Sequence, residues 1–96
     1  MKLTPQIIKR KIRPVFKRQG VTKAALFGSI VRGKLKRGSD IDILVQFKSG
    51  KSLLDLIGLE QELAETLNRK VDVITYKSLH PRLREAILKE QTPIYG

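Results

Sequence analysis

Near the start of the chain, apolar residues recur at Ile8, Ile12, Val15 and Phe16, about one per helical turn, with Lys9, Arg10, Arg13 and Lys17 between them. That spacing predicts an amphipathic helix. Thr4 is placed to cap it, and Pro5 to occupy its first position, where a missing N–H costs nothing. Pro14 predicts a kink or a break near Arg13, and Gly20 supplies the stop. The pattern then changes. Residues 23–27 read as a short buried strand ended by Gly28-Ser29, residues 29–35 as a brief helix, and residues 34–38 as a basic loop. Residues 41–47 are β-branched and apolar between polar flanks, the strongest strand signal in the chain. Ser49-Gly50 makes a turn, and Ser52 with Asp55 three residues on forms a capping-box pattern. The helix that follows is expected to bury Leu53, Leu56, Ile57, Leu63, Ala64 and Leu67. Residues 71–76 predict a third strand. Residues 78–90 predict a last helix with Leu79, Leu83, Ile87 and Leu88 inward, and residues 93–95 a short edge segment. Such alternation gives an α/β (α+β) layer in which helices cover a small sheet.

At 96 residues this is read as a single domain, residues 1–96. With 41% apolar and 30% charged residues the balance is globular. No cysteine is present, which excludes a disulfide scaffold and any thiolate metal site. His80 is the only histidine, so a metal would have to sit on carboxylates; the residue itself, beside Pro81, reads as a surface or capping group. No apolar run exceeds four residues, too short to span a membrane, and charges at Lys9, Arg10, Lys11 and Arg13 interrupt any signal-peptide stretch. A cytoplasmic location is expected. The net charge of +11 is uneven: residues 1–39 hold twelve Lys or Arg and no acid, the first carboxylate being Asp40. That asymmetry fits an anionic partner such as nucleic acid, nucleotide phosphates or an acidic protein, or simply a solvated face. Nucleic acid is the less favoured partner, because no aromatic residues interleave with the basic ones as a stacking platform.

Gly28 to Lys34 fits G-x-x-x-x-G-K, but Leu35 stands where a P-loop needs Ser or Thr. The chain is also too short for that fold. Asp40-Ile41-Asp42 is more informative. On a strand alternate residues share a face, so Asp40 and Asp42 point one way and Ile41 and Ile43 the other. Two adjacent carboxylates on a largely buried strand repel each other, and a hard divalent cation, Mg²⁺ or Mn²⁺, relieves that cost. The plainer alternative is a pair of solvated acids. Asp72 adds a lone acid inside the apolar run 71–74. If the two strands are neighbours, three carboxylates converge as a two-metal transfer site requires; the plainer alternatives are an exposed sheet-face residue, or a pair with Lys70 or Arg69. Gly28-Ser29 before a helix offers backbone N–H groups and a hydroxyl to a phosphate, with Arg32 about one turn on. Alone, that pair is no more than a turn and a cap.

Taken together, Gly28-Ser29-Ile30-Val31-Arg32-Gly33 followed by Ser39-Asp40-Ile41-Asp42-Ile43-Leu44-Val45, with Asp72 on a later strand, resembles the signature of the DNA polymerase β-like nucleotidyltransferase superfamily. The resemblance is to its minimal nucleotidyltransferase (MNT) branch and spans roughly residues 4–96. It implies a mixed sheet flanked by helices, with Asp40, Asp42 and Asp72 as catalytic metal ligands for two Mg²⁺ (or Mn²⁺) ions. It also implies nucleotide binding by Gly28, Ser29, Arg32 and Ser39. Members move a nucleoside monophosphate, commonly AMP from ATP, to a hydroxyl. Many act as antitoxins of a HEPN-domain toxin, and tyrosine is the expected acceptor. A homodimer or hetero-oligomer is expected to complete so small a site. Two other classes stay open at this stage: a non-catalytic module that neutralises a partner by contact, and a small RNA-binding protein.

Overall fold

The computed structural model describes residues 3–33 and 40–96. Helix α1 (Pro5–Gln19) begins where the sequence predicts, the Thr4 hydroxyl accepting the Ile7 N–H at 3.2 Å. It ends at Gly20, whose φ of +78° places it in the left-handed region. The break expected near Arg13 does not occur: the helix runs through Pro14. Pro14 lies on the exposed face, while Ile12, Val15 and Phe16 around it are buried, and that burial outweighs one lost backbone bond.

Strand β1 (Val21–Phe27) follows at once and is two residues longer at its start than the apolar run suggests. Strand β2 (Ile41–Phe47) matches expectation at both ends. Helix α2 (Leu53–Leu67) starts after Ser52, whose N–H donates to Asp55 Oδ2 at 2.8 Å. Strand β3 (Val71–Thr75), helix α3 (Pro81–Glu90) and strand β4 (Thr92–Tyr95) complete the order. The last helix starts later than predicted, because residues 76–78 form a separate 3₁₀ turn. His80 proves to be its cap: Nδ1 accepts the Arg82 N–H at 3.1 Å, with Pro81 at the first helical position.

The four strands form one mixed sheet in the order β3-β2-β1-β4, β2 and β3 parallel and the other pairs antiparallel. Alternation along the strands sorts the side chains. Ala24, Leu26, Ile41, Ile43, Val45, Val71 and Val73 pack in one cluster with Ile8, Ile12 and Phe16 of α1 and Leu59, Leu63 and Leu67 of α2. Phe27 and Leu44 belong to a smaller cluster with Leu79, Ile87 and Leu88. Tyr95 anchors β4, its ring 5.5 Å from that of Phe16. At the helix–helix seam Glu62 of α2 accepts from Gln19 at 2.7 Å and meets Arg18 at 2.6 Å, contacts that hold its carboxyl below the usual range.

Three residues expected inside face water. Leu53 and Ile57 are 70% and 46% exposed, and Leu83 is 57% exposed. The stripe that α2 buries follows Leu56, Leu59, Leu63 and Leu67; Ile57 stands about 100° round from Leu56, and Leu53 lies a turn before that core begins. On α3 only Ile87 and Leu88 join the small cluster, so Leu83, one turn earlier, is left outside it. Among the described residues no helix is long and apolar enough to cross a membrane.

Candidate active site

Sheet register brings the carboxylates together. Asp42 is the direct partner of Asp72 in the parallel β2–β3 ladder, where neighbouring backbones lie about 4.8 Å apart. Both residues therefore stand side by side on one face, and Asp40, two residues earlier, falls on the same face. The ladder starts at Ile41 and Val71, with the Ile41 N–H donating to the Lys70 carbonyl at 3.0 Å. Lys70 pairs with Asp40 (Nζ to Oδ2, 3.8 Å) rather than with Asp72, and both groups of that pair are well solvated.

On the other side of β2, Phe27 pairs with Asp42 in the antiparallel ladder, so the end of β1 delivers Gly28 to the same place. The approach is close: a β-carbon at Gly28 would stand 2.3 Å from Asp42 Oδ2. Gly28 has φ +79°, a left-handed turn that takes the chain off the sheet. Of the helix expected over 29–35, the described part is a 3₁₀ turn, Gly28–Ile30, extended by bonds from the Val31 and Arg32 N–H groups to the Gly28 carbonyl (3.1 and 3.3 Å). Gly33 is also at positive φ. So short a turn has no appreciable dipole, which leaves first-turn N–H groups, the half-buried Ser29 and Arg32 to meet an anion. Ser39 and the basic segment 34–38 lie outside the described residues.

Charge is unbalanced at Asp42. Partial burial, then the negative charges of Asp72 and Asp40, push its carboxyl above the usual aspartate range, with Arg32 opposing. A cation would relieve that crowding, and the donors are all hard oxygens, the set Mg²⁺ or Mn²⁺ takes. Among the described residues no three such groups close into a cage. The carboxylates make an open ledge, which fits an ion that keeps waters and takes ligands from substrate phosphates. A groove of about 640 Å³ between Lys9, Arg13, Thr22 and Tyr95 lies by the opposite end of β1 and has no part in this ledge.

One residue of this region is not visible from sequence patterning. Glu90, the last residue of α3, accepts the Gly28 N–H at 3.1 Å, and the same oxygen lies 3.7 Å from Arg32 Nε. No local motif announces a contact across 62 positions.

Comparison with known proteins agrees with this geometry. The family model "Polymerase beta, Nucleotidyltransferase" matches residues 10–96. A relative from Methanocaldococcus jannaschii, MJ0435, named as a candidate protein adenylyltransferase, is 53% identical over 87 residues, 91% of this chain and 94% of its own length. Among solved structures, one described as a candidate minimal nucleotidyltransferase superposes with a TM-score of 0.82 at 33% identity, covering 95% of this chain and 96% of that one. Another, a toxin–antitoxin with AMP-PNP, superposes with a TM-score of 0.80 at 27% identity, covering 92% and 73%. Fold, carboxylate register and sequence identity thus lead to one assignment: the chain belongs to the polymerase β nucleotidyltransferase family, in its minimal branch.

Proposed function

We propose that this nucleotidyltransferase moves AMP from ATP to a hydroxyl, a tyrosine side chain, on a HEPN-domain toxin, and so serves as the antitoxin of the pair. The observation that carries this reading is the pairing of Asp42 with Asp72 directly beside the Gly28-Ser29 turn. Related proteins support it: one is named for adenylyl transfer to protein, and another was crystallised as a toxin–antitoxin with an ATP analogue.

In this reading Asp40, Asp42 and Asp72 hold Mg²⁺ (or Mn²⁺), which supplies charge neutralisation at the phosphates. Ser29, the amides of its turn and Arg32 hold the triphosphate with its α-phosphorus toward the carboxylates. The acceptor oxygen attacks that phosphorus in line and pyrophosphate leaves. Asp72, the most exposed of the three acids, takes the hydroxyl proton. The products are AMP–acceptor ester, pyrophosphate and a proton. The partner chain brings the acceptor, through a homodimer or hetero-oligomer that completes the site.

Two measurements bear on this directly. Product analysis with labelled ATP, Mg²⁺ and the partner should give pyrophosphate; ADP instead would mean γ-phosphoryl transfer and would overturn the assignment of the turn. Removing the Ser29 hydroxyl (Ser29→Ala) should weaken ATP binding about tenfold, since a hydrogen bond to a charged group is worth roughly 1.5–3 kcal/mol. Calorimetry showing unchanged affinity would remove Ser29 from the phosphate site.

A further inference from the structure

We propose that Glu90 is a positioning residue for the nucleotide: its carboxylate fixes the Gly28 amide, and with it the Gly28-Ser29 turn, in the shape that receives the triphosphate. The inference rests on the reading that this turn binds phosphate. Its geometric basis is independent of that reading.

Gly28 is buried and lies just past Phe27, the last residue of β1. A buried amide without an acceptor is costly. Glu90 Oε1 supplies the acceptor at 3.1 Å. The carboxylate is delivered by a rigid path rather than by a flexible tail. Glu90 ends α3, the chain enters β4 at Thr92, and Thr92 pairs with Leu26, two residues before Gly28. Gly28 is therefore gripped from two directions, with Asp42 against its α-carbon and Glu90 on its N–H. The longer contact to Arg32, 3.7 Å between groups about half and one third exposed, orients the guanidinium and adds little energy.

A competing role has the opposite sign. If Glu90 merely occupied the place of a phosphate on Gly28 and Arg32, removing it would free both donors and lift a repulsion, so ATP would bind more tightly. If it positions the turn, removing it weakens ATP binding. Gln in its place keeps the amide acceptor and loses only the charge.

The test measures ATP binding with Mg²⁺ by calorimetry in wild type, Glu90→Ala and Glu90→Gln, with thermal unfolding and hydrogen exchange at the Gly28 amide. Glu90→Ala should weaken ATP binding about tenfold, the scale of a lost hydrogen bond to a charged group, and speed exchange at Gly28. Glu90→Gln should restore amide protection and stay within about threefold of wild type, the scale of a solvated ion pair. Equal or tighter binding by Glu90→Ala, or a Glu90→Gln variant as weak as Ala, overturns the proposal. Wild type that binds no ATP overturns the phosphate reading and the role of Glu90 together. Wild type that binds while Glu90→Ala is unaffected overturns the role of Glu90 alone.

Discussion

Replacing Asp42 with Asn should abolish AMP transfer, by orders of magnitude, while making the metal-free protein more stable. The two effects have one origin. Burial and the charges of Asp72 and Asp40 raise the Asp42 carboxyl above its ordinary value, so its ionised form is disfavoured in the folded chain. Between the ordinary and the raised value the folded state binds more protons than the unfolded one, so stability falls as pH rises through that window. At neutral pH ionised Asp42 is thus a net cost to the fold, and Asn removes the charge with the shape kept. The crowding that makes the group costly is also what makes it a cation ligand, so the same substitution removes the site's purpose. Thermal unfolding in chelator should show wild type gaining stability as pH falls from the raised toward the ordinary value of this carboxyl. Asp42→Asn should start higher and lack the gain. At lower pH both should lose stability as Glu62, held down by Arg18 and Gln19, is protonated. A variant that is less stable and still transfers AMP would contradict this account of the ledge.

The second large effect is at Gly28. Its φ of +79° disfavours any side chain, costing roughly 1–2 kcal/mol. A β-carbon there would also meet Asp42 Oδ2 at 2.3 Å and Cγ at 3.2 Å. Asp42 is short and its strand is fixed on both sides, so the carboxylate must leave the place it holds beside Gly28. Gly28→Ala should therefore reduce transfer by about two orders of magnitude or more, as expected when a group that stabilises the transition state is misplaced. Gly28→Val should be worse. Removing the obstructing carboxylate should reduce the stability penalty: in Gly28→Ala with Asp42→Ala, only the backbone part should persist, and the two changes should be non-additive. Purely additive stabilities, or near-normal transfer by Gly28→Ala, would show that the close approach has no consequence.

What the sequence made legible was local. The stripe Ile8, Ile12, Val15 and Phe16, the cap at Thr4 and the stop at Gly20 are each set within a turn or two of chain, and they appear where expected. The alternation in 41–47 likewise placed Asp40 and Asp42 on one face; only the β2–β3 neighbourhood was conditional, and the structure supplies it. What failed depends on distant partners. Leu53, Ile57 and Leu83 have apolar side chains, but among the described residues no neighbouring element covers them. The turn at 28–30 has helix-compatible residues, yet the chain leaves the sheet through one 3₁₀ turn, with Glu90, rather than a helix, meeting its first amide. Glu90 could not be found by spacing, because its contact with Gly28 depends on how β4 pairs with β1.

The most direct test of AMP transfer by this ledge is the intact mass of the partner protein after incubation with this chain, ATP and Mg²⁺. Mass increases in steps of one AMP are expected, lost when Asp40 and Asp42 are both replaced by Asn, while that variant remains folded. An unmodified partner in the presence of ATP-competent wild type, or AMP addition that survives the double substitution, would contradict it.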